Sequence, residues 1–128
     1  HTRLYTVTGV LTCALPIWCT VGETDTSLCG KNFYAAQIVR NSGTEILFMN
    51  AYTGHLACSD CWEAQPLRFT APSAMLAALL PPNQLLSPSL LERSIDVVLL
   101  DALAPAEQEQ LRYWQPNTIG EILFNFWD

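Results

Sequence analysis

Two apolar runs dominate the middle of the chain. Residues 32–40, NFYAAQIVR, and 44–52, TEILFMNAY, are dense in Phe, Tyr, Ile, Val and Leu, residues that fit a pleated, packed surface. Between them Asn41-Ser42-Gly43 supplies a tight turn, with a glycine able to take positive φ. The pattern predicts an antiparallel hairpin. Residues 67–70 read as a third short strand. Upstream, residues 18–31, WCTVGETDTSLCGK, are rich in Thr, Gly, Ser and Asp and are expected to form an irregular loop with Cys19 and Cys29 near its ends.

After Pro72 the pattern changes to helical spacing. SAMLAALL predicts a short helix starting near Ser73 and stopped by Pro81-Pro82. In LSPSLLERSIDVVLLDAL, Ser89 with Glu92 makes a capping box, and Ser87-Pro88 is an alternative start. Ile95, Val98, Leu99 and Ala102 would share one helix face, although residues 97–100 also suit a strand. Residues 105–114 follow with Pro at the first position and Glu107 in the first turn. The last segment, TIGEILFNFWD, carries a second capping box, Thr118 with Glu121. Its apolar stripe is Ile119, Ile122, Leu123, Phe126 and Trp127. Phe124 falls off that stripe and is expected to be exposed. The fold class implied is α+β: an N-terminal β-hairpin or small antiparallel sheet followed by a helical C-terminal half.

The length suits one domain. Half of the residues are hydrophobic, too many for a disordered chain, yet no apolar run approaches the roughly 18 residues of a membrane span. The formal net charge is −6. With so few scattered Lys and Arg there is little to neutralise phosphates, so nucleic acid is not an expected partner.

Residues 8–17, TGVLTCALPI, resemble the peptide VTGVQTCALPI translated from a common indexed DNA sequencing adapter. Only Leu11 departs, and one base change, CAG to CTG, accounts for it. His1-Thr2-Arg3 can be encoded by CAT ACG AGA, as the adapter reads before its variable index. Leu4-Tyr5-Thr6 would then be the index, and Val7 restores the constant part in frame. The resemblance implies that residues 1–17 are not native, that the native sequence begins near Trp18 as one small domain, 18–128, and that its own start is missing. His1 and Cys13 then drop out of the functional reading. Deleting residues 1–17 is expected to leave the thermal melting temperature unchanged; a large drop in differential scanning calorimetry would count against this origin.

Four cysteines remain: Cys19, Cys29, Cys58 and Cys61. His55-Leu-Ala-Cys58-Ser-Asp-Cys61 is the one concentrated group of soft ligands. A Cys-x-x-Cys knuckle sets two thiolates on a tight turn, a bite suited to tetrahedral zinc. One structural zinc held by Cys29, His55, Cys58 and Cys61, with Cys19 as an alternative fourth ligand, is the expected metal site. The predicted hairpin joins the two groups at its open end. The spacing is weaker than in a zinc ribbon, because nine residues separate Cys19 from Cys29. Unligated buried thiols are the competing reading. A Cys19–Cys29 disulfide would suit an exported protein; the expected compartment is otherwise the cytoplasm.

For catalysis, Cys58 or Cys61 with His55 as base is the one arrangement to weigh. No third orienting residue accompanies it. No phosphate-cradling glycine loop, Gly-x-Ser-x-Gly or His-Glu-x-x-His is present. The expected role is a small, acidic, soluble, non-catalytic binding or interaction module, with the C-terminal aromatics offered to a protein partner or a second copy. The rival is a small cysteine-dependent enzyme or thiol redox protein.

Overall fold

The computed structural model describes residues 19–61, 67–94, 105, 109 and 117–126. Four strands form one antiparallel meander in chain order: β1 (Cys19–Asp25), β2 (Phe33–Arg40), β3 (Gly43–Asn50) and β4 (Leu56–Ser59). The predicted hairpin is β2–β3. Arg40 pairs with Gly43, so Asn41-Ser42 is a two-residue loop, and Gly43 adopts φ +139°, which only glycine takes without strain.

The segment expected to be an irregular loop is largely β1. Its residues are mostly exposed, which removes the apolar alternation that marks a half-buried strand. Pairing with β2 orders it nonetheless, from Cys19 opposite Arg40 to Asp25 opposite Ala35, with a bulge between Val21 and Thr24. Beyond β1 the chain turns through Gly30 at φ +78°. There Lys31 forms an ion pair with Asp25 and lies over the Phe33 ring, 5.2 Å from its centroid. The hydrogen bond from Lys31 lowers the Asp25 pKa below its usual range.

Helix is scarcer than the pattern suggests, and the expected helical C-terminal half is not realised. Among the described residues are three short helices, α1 (Ala74–Leu79), α2 (Pro88–Leu91) and α3 (Ile119–Leu123). The N-cap of α1 is Ser73, as expected, and Leu80 after it is already extended ahead of Pro81-Pro82. In α2 the cap is Ser87, with Pro88 inside the first turn; the Ser89–Glu92 box goes unused. Between α1 and α2 the connecting backbone runs along β4. Leu56 N–H donates to Gln84 O and Leu86 N–H to Leu56 O, each at 2.8 Å. The third strand expected at 67–70 reduces to one bridge, Thr70 to Cys58. The helix expected over 105–114 and the 95–102 face lie outside the described residues, except that Pro105 and Glu109 are helical.

Side chains of the sheet alternate between two cores. Tyr34, Ile38, Leu47, Met49, Leu56 and Cys58 face α1 and are covered by Leu76 of that helix and by Leu80 just after it. Phe33, Ala35, Ile46, Phe48 and Ala57 face the other way, beneath Leu91 of α2 and Phe124. Burial on both faces explains why β2 and β3 read as near-continuous apolar runs. Phe124, expected to be exposed, is 2% exposed. Helix α3 ends at Leu123 and Phe124 takes an extended backbone, so helical spacing no longer decides where its ring points.

Three asparagines bind this C-terminal turn to the sheet. Asn50 Nδ2 donates to Leu123 O at 2.6 Å, while its Oδ1 accepts from Tyr52 N–H and Thr53 N–H, both at 2.8 Å. Asn125 N–H donates to Asn32 Oδ1 at 2.9 Å, and Asn125 Nδ2 donates to Ile122 O at 2.8 Å. Asn50 is 3% exposed. Its replacement by alanine leaves the Leu123 carbonyl without this donor and frees the 51–55 turn, at an expected cost of about 2–3 kcal/mol. Urea unfolding of Asn50→Ala measures it; a loss below about 0.5 kcal/mol would show that this network does not hold the C-terminal turn.

Candidate functional site

Strand β4 decides the geometry of the Cys-x-x-Cys segment. Cys58 lies within it, opposite Leu47, and is fully buried in the core under α1. His55 precedes the strand, in a turn where Gly54 takes φ +79° and the His55 Nδ1 contacts Thr53 Oγ1 at 2.8 Å. An extended chain separates residues three apart by about 10 Å, so His55 and Cys58 do not converge as they would on a turn. Cys61 lies past the other end of β4 and is half-buried. The Ser59 hydroxyl accepts the Cys61 N–H at 3.2 Å and lies against the carbonyls of Cys61 and Arg68, fixing the chain as it leaves the sheet.

The remaining cysteines are no closer to a shared site. Cys29 is exposed in the β1–β2 connection, at the same end of the sheet as His55. Cys19 is buried near the opposite end, its thiol donating to Met75 Sδ at 3.4 Å. All four described cysteines are free thiols. Among the described residues no group of three or more His, Cys, Asp or Glu side chains is arranged to hold a metal ion.

What lies near Cys58 is a charged pair that spacing did not reveal. Glu45 shares a face of β3 with Leu47 and Met49 and is 6% exposed. One carboxylate oxygen, Oε2, accepts the Ser73 N–H at 2.9 Å; the other lies 3.6 Å from Arg40 Nη2. Glu45 therefore anchors the start of α1 to the sheet. Arg40, which reads as one of several scattered surface bases, has a side chain only 22% exposed. Strand parity was the available signal: an acid two residues before Leu47 in a hairpin buried on both faces must point into a core.

This setting controls the thiol. Burial pushes the Cys58 pKa far above the usual range, and the negative Glu45 carboxylate raises it further against a partial offset from Arg40. The nucleophilic form of a cysteine is the thiolate, so this setting disfavours Cys58 as a nucleophile. No protein-family model matches the chain, and no curated protein or solved structure is significantly similar to it.

Proposed function

We propose that this chain is a small non-catalytic binding or interaction domain. The observation that carries this reading is the placement of Cys58: the central residue of the one soft-ligand motif is packed as core within an extended strand, out of reach of His55. Among the described residues no helix is long and apolar enough to cross a membrane. The two rival chemistries have less support. A cysteine-dependent enzyme needs a thiolate within hydrogen-bond distance of its base. A structural zinc at Cys29, His55, Cys58 and Cys61 needs Cys58 to turn out of the core and the two ends of β4 to converge.

Timed alkylation of the native chain, read residue by residue by mass spectrometry, separates these readings. Exposed Cys29 and half-buried Cys61 are expected to react first, with Cys58 protected until unfolding. Rapid labelling of Cys58 at neutral pH would overturn the proposal in favour of catalysis. Protection of Cys58 and Cys61 together, lost on chelation along with one bound zinc, would establish the metal instead. Cys58→Ala discriminates independently: loss of a buried thiol costs on the order of 1 kcal/mol, whereas losing a structural zinc site removes far more.

A further inference from the structure

Where α2 ends and α3 begins, the surface dips into a half-open recess of about 160 Å³. Its floor is apolar, formed by Leu67, Phe69, Leu91 and Phe124. Gly120 permits the close approach that shapes it, since a Cβ there would lie 2.6 Å from Phe69 Cε2 and 3.0 Å from Leu91 O. The exposed Glu92 and half-buried Glu121 also line it, and among the described residues no basic side chain does. Neither carboxylate forms an ion pair among the described residues. Glu121 Oε2 accepts the Asn117 N–H at 2.7 Å, which steadies that carboxylate instead of letting it sample solvent.

Size and charge together select an occupant. Small-molecule pockets run from roughly 300 Å³ upward, so this recess is too small for a drug-sized ligand and suits a single long side chain. An apolar floor beneath two carboxylates suits an aliphatic stem that ends in a cation. A guanidinium also matches carboxylates with paired hydrogen bonds and favours an aromatic neighbour such as Phe69. Building on the binding role proposed above, we infer that the recess receives an arginine side chain presented by a partner polypeptide. The acidity of the whole chain, −6, favours the approach of such a basic segment.

The probe is acetyl-Gly-Arg-Gly-amide, titrated into the complete ¹⁵N-labelled chain and followed by NMR, with the norleucine peptide as control. Saturable shifts are expected at residues 91–92 and 118–124, with Arg bound and norleucine not. Combining Glu92→Gln with Glu121→Gln keeps the Asn117 acceptor and is expected to weaken binding about fivefold or more. An unchanged spectrum elsewhere verifies that this variant is folded. In the unaltered chain, raising salt is expected to weaken binding as well. No shift at millimolar peptide, equal binding of norleucine, or salt-independent binding would each overturn the arginine site. Cysteine alkylation is independent of the recess, so continued protection of Cys58 alongside a failed titration would remove this site alone.

Discussion

Phe33→Ala is expected to destabilise the domain by about 3–5 kcal/mol, the usual range for emptying a buried aromatic position. Phe33 is 2% exposed, and its ring meets Phe48 at 5.1 Å, Phe126 at 5.4 Å and Phe124 at 6.0 Å between centroids, all edge-on. Lys31 lies over the same ring. Truncation thus removes transfer energy, three edge-to-face contacts and a cation–π contact, and leaves a cavity that the rigid sheet cannot close. Against a total stability of roughly 5–15 kcal/mol, such a loss brings the chain close to unfolding. Phe33→Leu refills part of the volume and is expected to lose less. Urea unfolding measures both; a cost below about 1 kcal/mol for the alanine variant would contradict the packing of that face.

The second large effect is expected at Glu45. Glu45→Ala takes the acceptor from Ser73 N–H and leaves Arg40 partly buried with no counter-charge. Removing one partner of a buried ion pair costs about 3–5 kcal/mol when the survivor is fully enclosed. Arg40 can still turn towards water, so about 2–4 kcal/mol is expected here. Glu45→Gln keeps an acceptor for Ser73 and removes only the charge, so it should fall between wild type and alanine. Hydrogen exchange adds a local readout. Faster exchange of the Leu76 and Ala77 amides in Glu45→Ala, relative to amides of β2, would place the damage at the start of α1. Uniform acceleration would mean that Glu45 supports the sheet as a whole and not that helix in particular.

What could be read from sequence was what neighbouring residues decide among themselves. The hairpin turn at Asn41-Ser42, the Ser73 cap and the Thr118 cap all depend on side chains within a few positions of the backbone they serve. The rest depended on partners distant in sequence. β1 is a strand because β2 offers it a ladder, although its own residues are mostly exposed. Phe124 is core because the chain leaves α3 one residue earlier and turns its ring towards Phe33 and Phe48. His55, Cys58 and Cys61 look like a knuckle as a string of letters. An extended strand gives the same spacing a different meaning: one thiol is enclosed within the strand, while the histidine precedes it and the other thiol follows it.

Every strand of the sheet pairs with its neighbour in sequence, whereas the hydrogen bond from Asn125 to Asn32 spans 93 residues. During synthesis the meander and α1 can therefore form as soon as they emerge, closing short loops at little entropic cost. The face bearing Phe33 and Phe48 stays uncovered until Leu91 and then Phe124 follow. A nascent chain stalled before that point would carry an open aromatic surface, the kind of exposure that chaperones bind and that seeds aggregation.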